Sequence, residues 1–278
     1  MTKAVLVIGA ARPPGIGRAT ALRLARAGAR LVLAEALTRG AGSGEDGAGT
    51  GRAAPAALRD VCAEVSAAAG HDVPGFDLDP TDPASVAGLV ERAETELGRL
   101  DAVCNLVGAT GAGVGDGPLA DVDPEAWQRG LTWNLTTAWL VARASVPALT
   151  RAGGGSIVLL SSYAGIDPTA GAGVVSVARA AVNHLAAVLA RELGPLGIRC
   201  NTVCPLGVDP GERGFPNPGL VRLAERQGMT LPEWLGRTIP LGRTQSADEV
   251  AAAVEFLAGD AGSFVSGVSL PVAGGAPA

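Results

Sequence analysis

Short apolar runs alternate with longer segments that carry apolar residues on one face, from one end of the sequence to the other. The short runs have the length of β-strands and the longer segments have the length of helices. We predict strands over Ala4–Ile8, Ala29–Ala34, Asp101–Val107, Ser156–Ser161, Ile198–Val203 and Val268–Val272, and one further strand before Asp79. Alternation of this kind predicts an α/β fold of the Rossmann type, a doubly wound parallel sheet of about seven strands with helices on both faces. We expect residues 1–278 to form a single domain.

Charge and composition argue against several classes of partner. The formal net charge is -5 and no run of basic residues is present, so we expect no nucleic-acid partner. The apolar stretches are short and broken by glycine or arginine, which predicts a cytoplasmic protein with no membrane partner. The four cysteines show neither CxxC pairs nor spacing with histidine, so neither disulfides nor a metal site is expected.

Two segments interrupt the alternation. Residues 38–54 are rich in glycine and contain almost nothing to bury, which predicts a flexible surface insertion. Residues 206–240 form a long connection that contains Phe215 and Trp234. A connection at this place lies above the carboxyl ends of the strands, where α/β proteins bind their ligands. We interpret it as a substrate lid.

A glycine-rich turn, residues 9–17, joins the first strand to the first helix. Its glycines permit a tight turn and let backbone N–H groups approach a pyrophosphate at the helix N-terminus. The second strand is followed by an acidic residue, Glu35. A carboxylate there accepts hydrogen bonds from a ribose 2′-hydroxyl and repels a 2′-phosphate, so Glu35 favours NAD over NADP, although Arg12 in the turn favours NADP.

The chain resembles the short-chain dehydrogenase/reductase family over nearly its full length. Besides the turn and Glu35, the matching motifs are Asp79-Pro80, Asn105-Leu-Val-Gly108, Asn134, Ser161-Ser162 and Asn201-Thr-Val-Cys-Pro205. The resemblance implies a dinucleotide cofactor and a carbonyl substrate. It also implies a serine that positions the carbonyl oxygen, a tyrosine that transfers its proton and a lysine that holds the ribose.

The family's tyrosine and lysine are missing. The chain contains one tyrosine, Tyr163, and one lysine, Lys3, and neither stands at the family position. Val175 and Arg179 occupy the two positions of the family's Tyr-x-x-x-Lys pair. Valine has no proton to give, and arginine keeps its hydrogen-bond donors but is permanently charged near neutrality. We therefore regard the chain as a degenerate member of the family.

The resemblance also implies which residues contact the cofactor. They are Gly9, Arg12, Gly15, Ile16, Gly17, Glu35, Asp79, Pro80, Asn105, Leu106, Val107, Arg179, Pro205, Leu206 and Val208. The adenosine half of this set looks intact. At the nicotinamide end, Leu106 and Leu206 replace the smaller or more polar residues of the family, so conventional hydride chemistry is expected to be impaired.

Four residues remain as candidates for catalysis. Ser162 matches the family's serine, and Asn134 matches an asparagine that supports a water chain behind the lysine. Asp167 lies in the loop after the fifth strand and could act as an acid or a base, although solvated loop aspartates are commoner. Tyr163 follows Ser162 directly, and the alternation of side chains along a strand favours packing outside the pocket over a catalytic role.

Three hypotheses about function stay open at this point. The first is a biosynthetic enzyme that binds NAD(H) and a carbonyl-containing small molecule. It would act either by non-redox cyclisation, isomerisation or dehydration, or by a substrate-assisted ketoreduction. The second is an inactive subunit that pairs with an active relative through helices predicted over Pro124–Ala144 and Val174–Leu193, the helices that would otherwise form a homodimer or homotetramer. The third is a dinucleotide sensor, in which NAD is structural.

Overall fold

Seven strands form one sheet in the part of the chain that the structure describes. The structure is a computed structural model, and it describes residues 2–11, 15–36, 53–208 and 218–276. The strands are β1 (Ala4–Ile8), β2 (Arg30–Glu35), β3 (Gly75–Asp77), β4 (Ala102–Asn105), β5 (Gly155–Leu160), β6 (Ile198–Pro205) and β7 (Ser269–Val272). They lie in the order β3-β2-β1-β4-β5-β6-β7, and every neighbouring pair is parallel.

Helices cover both faces of this sheet. Within the described ranges they are α1 (Ile16–Arg26), α2 (Pro55–Ala69), α3 (Pro83–Leu97), α4 (Pro124–Leu131), α5 (Thr137–Arg151), α6 (Gly173–Leu193), α7 (Pro218–Arg226), α8 (Leu231–Thr238) and α9 (Ala247–Ala258). One face packs against α3, α5 and α6, and the other against α1, α2 and α9. The prediction of a doubly wound parallel sheet of about seven strands is therefore confirmed.

The central strand β1 shows why the sheet needs cover on both faces. All of its residues are buried. Leu6 and Ile8 point into the core beneath α3, α5 and α6, whereas Val5 and Val7 point into the core beneath α1 and α9. A strand buried on both faces has a continuous apolar sequence instead of an alternating one, and this strand follows that rule.

The order of the strands places a crevice at one edge of the sheet. β1 pairs with β2 on one side and with β4 on the other, so the chain reverses its direction of winding between them. Ligands of open α/β sheets bind at the carboxyl ends of the strands beside such a reversal.

Most of the predicted strand ends differ from the observed strand ends by one or two residues, and the others coincide.

The helix predicted over Pro124–Ala144 is interrupted. The structure contains α4, then a π-helical turn over Thr132–Thr136, then α5. Insertions of this kind are commonly found at functional sites. Asn134 lies inside this turn and is buried.

The long helix α6 is apolar enough to resemble a membrane span. By length and composition, the segment Gly173–Leu196 could cross a bilayer, with a mean hydropathy of 1.5. In the structure this helix packs along β6, and residues such as Ala178 and Val182 are fully buried in the protein. A core helix passes the same test, so one such segment is weak support for a membrane span. The cytoplasmic location stays a prediction.

The two irregular segments are described only in part. Most of the predicted insertion 38–54 lies outside the described residues, which resume at Ala53. The backbone N–H of Ala53 donates a hydrogen bond to the carbonyl oxygen of Ala36 (2.8 Å). In the predicted lid 206–240, residues 209–217, with Phe215, lie outside them as well. The rest of that segment contains α7 and α8, and Trp234 is buried.

Candidate functional site: a cleft at the carboxyl ends of the strands

The glycine-rich turn is shaped by close backbone contacts that exclude side chains. Gly9 has a φ of +88°, and a Cβ there would come within 2.9 Å of the Leu106 carbonyl group. A Cβ at Gly17 would collide with the Gly9 carbonyl. The first turn of α1 therefore lies directly against the end of β1. N–H groups in the first turn of a helix have no partner within the helix, which suits a pyrophosphate. Arg12 lies outside the described residues.

Glu35 stabilises this turn through hydrogen bonds with the backbone. Its side chain is only 2% exposed, and it accepts hydrogen bonds from the backbone N–H groups of Ala11 (2.8 Å) and Ala36 (3.0 Å). The carboxylate therefore fixes the position of the turn relative to the end of β2. The sequence did not indicate this role, and the predicted contact between Glu35 and a ribose stays a prediction.

A cleft of about 500 Å³ opens at the carboxyl ends of the central strands. Many of the residues predicted to contact a cofactor line it, together with Ser162 and Val175. These cofactor candidates are Gly9, Gly15, Ile16, Gly17, Leu106, Arg179, Pro205, Leu206 and Val208. The structure thus brings the phosphate-binding turn and the family's serine position to one cavity.

The remaining cofactor candidates hold the surrounding loops and do not line the cleft. Asp79 accepts hydrogen bonds at Oδ1 from the backbone N–H (3.0 Å) and the hydroxyl (2.6 Å) of Thr81, just before α3. Asn105 is buried and accepts a hydrogen bond from the backbone N–H of Val107 (3.3 Å). Pro80 is buried beside Asp79. These hydrogen bonds hold the backbone at the carboxyl ends of β3 and β4.

Ser162 stands at the end of β5 with its hydroxyl at the cleft. It is half-buried, and its Oγ accepts a hydrogen bond from the backbone N–H of Ala164 (3.2 Å). A hydroxyl that already accepts one bond keeps its own O–H to donate. The side chain is therefore arranged to donate a hydrogen bond to an oxygen atom in the cleft.

Arg179 occupies the family's lysine position as a buried cation. It is 4% exposed, it donates a hydrogen bond from Nη1 to the carbonyl oxygen of Leu160, and Nη2 packs so closely on Gly108 that no Cβ fits there. Burial lowers the pKa of Arg179 to about 10. The guanidinium stays charged near neutrality and places a fixed positive charge one helical turn from Val175.

Asn134 lies behind the cleft wall, with its amide fully engaged. Its Nδ2 donates to the carbonyl oxygens of Ala109 (3.1 Å) and Gly130 (3.0 Å), and its Oδ1 accepts from the backbone N–H of Ala109 (3.1 Å). These bonds tie the π-helical turn to the loop after β4. The structure does not bring Asn134 into the group of residues that line the cleft.

Tyr163 and Asp167 also lie away from the residues that line the cleft. Tyr163 is 2% exposed, and its hydroxyl has no hydrogen-bond partner among the described residues. Burial raises the pKa of Tyr163, and the charge of Asp167 adds to that shift. The backbone N–H of Asp167 donates to the carbonyl oxygen of Tyr163 (2.9 Å), so the two residues form one short turn.

Sequence reasoning missed Asp116. This residue follows β4 in a glycine-rich loop and lines the cleft. Its Oδ2 accepts a hydrogen bond from the backbone N–H of Gly111 (2.5 Å), and its Oδ1 is buried without a partner among the described residues. An aspartate between glycines is typical of a surface turn, so the sequence alone offers no clear signal for it.

The described part of the predicted lid supplies one wall of the cleft. Leu220, Arg222, Leu223 and Arg226 of α7 line it. Arg226 also donates a hydrogen bond from Nη1 to the carbonyl oxygen of Gly171 (2.7 Å). The helix is therefore tied across the cleft to the loop that precedes α6, and the interpretation of residues 206–240 as a lid stays a prediction.

Comparison with known proteins identifies the family. Residues 9–277 match the family described as enoyl-(acyl carrier protein) reductase. The chain is 36% identical to the cis-4-hydroxycyclohexanecarboxylate dehydrogenase of Sinomonas cyclohexanicum, over 98% of this chain and 96% of that one. Its structure resembles carveol dehydrogenase from Mycobacterium avium in complex with NAD, with a TM-score of 0.83, 30% identity and coverage of 98% and 96% of the two chains. It also resembles a short-chain type dehydrogenase/reductase from Mycobacterium ulcerans, with a TM-score of 0.82, 27% identity and coverage of 98% and 89%. The chain belongs to the short-chain dehydrogenase/reductase family.

Proposed function

We propose that this protein is an NAD-dependent oxidoreductase that interconverts a small secondary alcohol and its ketone without the tyrosine and lysine of its family. One observation carries the proposal: the phosphate-binding turn, Ser162 and Arg179 line a single cleft of about 500 Å³. A cleft of this size holds a small organic substrate beside the end of a dinucleotide. The names of two relatives, a hydroxycyclohexanecarboxylate dehydrogenase and a carveol dehydrogenase, support this substrate class.

The cofactor is NAD. The cradle formed by Gly9 and Gly17, into which no Cβ fits, and the N-terminus of α1 suit a pyrophosphate, and the acidic Glu35 at the end of β2 suits a ribose without a 2′-phosphate. Carveol dehydrogenase, a structural neighbour, is bound to NAD. When bound, NAD supplies or accepts the hydride.

The residues of the chain itself account for substrate orientation and charge. Ser162 donates a hydrogen bond to the substrate oxygen, and the buried guanidinium of Arg179 stabilises negative charge that develops on that oxygen. Arg179 also offers donors to ribose hydroxyls. Val175 forms an apolar wall and transfers no proton, so the proton must come from another group.

The alternatives suggested by the sequence have less support. Non-redox chemistry, an inactive subunit and a dinucleotide sensor were suggested by the missing tyrosine and lysine and by the altered residues at the nicotinamide end, and none of the relatives named above supports them. The named relatives that match nearly the whole chain are dehydrogenases, and the serine position is kept at the cleft. We therefore retain the substrate-assisted or otherwise modified ketoreduction from the first hypothesis.

We also propose that the protein forms a homodimer or homotetramer through α4, α5 and α6. Large apolar side chains on these helices face solvent in the single chain: Trp139 is 44% exposed, and Trp127 and Val188 are exposed as well. Exposed aromatic and aliphatic residues on neighbouring helices are typical of an interface between subunits. Light scattering of the purified protein expressed alone separates a homo-oligomer from a subunit that needs an active partner.

The enzymatic proposal is tested by NADH formation from NAD+ with a panel of small secondary alcohols, in the wild type and in Ser162→Ala. We expect turnover by the wild type and a loss of about 10²–10³-fold in Ser162→Ala, because one donor to the developing oxyanion is removed. Ser176→Ala is the matched control, since Ser176 donates to the Ala164 carbonyl (2.5 Å) but does not line the cleft. Wild-type protein that neither binds NAD+ nor forms NADH would contradict the proposal.

A further inference from the structure

The described residues give the cleft one carboxyl group, beside the position of the family's missing tyrosine. Among the described residues that line the cleft, Asp116 is the only one with a carboxyl group, and no histidine, cysteine, lysine or tyrosine lines it. The other charged side chains there are arginines, which keep their protons near neutrality. Among the described residues of the cleft, Asp116 is therefore the one whose side chain can exchange a proton with a substrate near neutral pH.

The loop that contains Asp116 is attached to the start of α6. The backbone N–H of Val174 donates to the carbonyl oxygen of Gly115 (3.0 Å). Gly115 and Val174 are the sequence neighbours of Asp116 and Val175, respectively, and Asp116 and Val175 both line the cleft. Asp116 thus lies next to the turn of helix that carries the family's tyrosine position.

The two carboxyl oxygens of Asp116 have different surroundings. Oδ2 accepts a hydrogen bond from the Gly111 N–H (2.5 Å), whereas Oδ1 is buried without a donor in the described part of the chain. A charged carboxylate would keep a desolvated oxygen without a hydrogen bond, which is unfavourable. The protonated form carries no charge, and its O–H provides a donor.

The charges around Asp116 act in opposite directions. Burial raises the pKa of Asp116, and the positive charges of Arg222 and Arg226 on α7 lower it. On α6, the residues that contact this loop, Gly173 and Val174, are uncharged. The desolvation effect is the largest, so Asp116 holds its proton closer to neutrality than an ordinary aspartate does, as an efficient general acid requires.

We propose that Asp116 is the proton donor for ketone reduction, and the proton acceptor for alcohol oxidation, in place of the tyrosine that Val175 replaces. The inference rests on the proposed oxidoreductase function. In the reduction, a C–H bond forms at the carbonyl carbon with the hydride given up by NADH, and the electron pair of the C=O π bond moves onto oxygen. That oxygen takes the Asp116 proton, the cofactor is left as NAD+, and solvent restores the proton to the carboxylate.

The first test is the reduction of a ketone by NADH in Asp116→Asn, whose amide keeps the size of the side chain but has no acidic proton. We expect kcat/KM to fall about 10²–10⁴-fold, the usual effect of losing a general acid. In the wild type kcat/KM falls as pH rises through the pKa of Asp116, and in the variant this step disappears. Asp121→Asn is the matched control, since Asp121 is exposed on the same connection between β4 and α4 and does not line the cleft, and it should keep the wild-type rate and profile.

A second variant distinguishes the loss of the carboxyl group from a change in folding. Asp116→Ala removes the carboxyl group, and we expect acetic acid added to the assay to restore part of its activity, whereas chloride at the same ionic strength restores none. The wild type should not respond to acetic acid. Absence of any rescue, together with an unaltered pH profile in Asp116→Asn, would overturn the assignment.

Protonation can also be followed without turnover, through the melting temperature as a function of pH. Because the pKa of Asp116 is raised in the folded state, its contribution to stability is complete below the ordinary aspartate value of about 3.9 and is lost as pH rises through the folded value. Asp116→Asn should therefore gain stability relative to the wild type as pH rises. Parallel melting curves would contradict a raised pKa.

The outcomes separate the two proposals. If the wild type oxidises NADH with a ketone and Asp116→Asn does so at the same rate with the same pH profile, the assignment of Asp116 is wrong and the oxidoreductase function stands. If the wild type turns over none of the ketones and alcohols in the panel, both proposals fail.

Discussion

Gly17 determines whether the turn after β1 can lie against α1. A Cβ at this position would collide with the carbonyl group of Gly9, which belongs to the same turn. Gly88, in the middle of α3, provides a contrast, because a Cβ there meets nothing within 4 Å. Substitution of the two glycines by alanine therefore compares a position without room for a Cβ with a position where a Cβ only restricts the backbone.

We expect Gly17→Ala to destabilise the protein by about 1–3 kcal/mol, the usual cost of overpacking, and to weaken NAD binding because the turn must move. Gly88→Ala should instead stabilise the protein by about 0.5–1 kcal/mol, because alanine in a helix interior loses less conformational freedom than glycine. Denaturant unfolding measures both effects. Equal stabilities for the two variants would contradict this account of the turn.

Individual residues also show where sequence reasoning reaches its limit. The glycines of the turn were identified from the order of strand, turn and helix, and Ser162 was identified from the resemblance to the family. The hydrogen bond that Glu35 accepts from the turn, and the position of Asp116 beside α6, depend on segments that are distant in sequence. No local pattern encodes such contacts, so these two roles became visible only in the structure.

At the scale of elements, helix α7 forms one wall of the cleft. Arg226 attaches it to the loop before α6 through the hydrogen bond to the Gly171 carbonyl (2.7 Å), while Arg222 and Leu223 face the cavity. A helix held by few contacts opens more often than the core elements do. Its attachment is therefore expected to influence substrate entry.

We expect Arg226→Met to speed amide hydrogen exchange in α7 about two- to tenfold, which corresponds to the loss of one hydrogen bond worth about 0.5–1.5 kcal/mol. Arg237→Met is the control, since Arg237 is exposed on α8 and does not line the cleft. Hydrogen exchange followed by mass spectrometry resolves the two helices. Unchanged exchange in α7 of Arg226→Met would show that this contact does not hold the helix.

The elements themselves were largely predictable from the sequence, and the exceptions have physical causes. The apolar runs predicted the strands correctly, because parallel strands that are buried on both faces have a continuously apolar sequence. The predicted helix Pro124–Ala144 is helical throughout, but its residues Thr132–Thr136 form a π-helical turn, in which Asn134 bonds to the loop after β4. Periodicity reports which face of a helix is buried and does not report tertiary bonds of this kind.

At the scale of the whole molecule, the sheet separates the elements that support the predicted cofactor half of the site from the helix that carries Val175 and Arg179. The turn and Glu35 lie at the ends of β1 and β2, beside α1, which packs on one face of the sheet. Val175 and Arg179 lie on α6, on the opposite face. Substitutions on α6 can therefore alter the chemistry of the cleft without disturbing the framework that receives the dinucleotide.

The most direct test of this account is a calorimetric titration of the wild-type protein with NAD+ and with NADP+. We predict saturable binding of about one NAD+ per chain and at least about tenfold weaker binding of NADP+, equivalent to about 1.4 kcal/mol, because Glu35 disfavours a 2′-phosphate. No heat with NAD+, or tighter binding of NADP+, would contradict the central claim that the cleft is an NAD site.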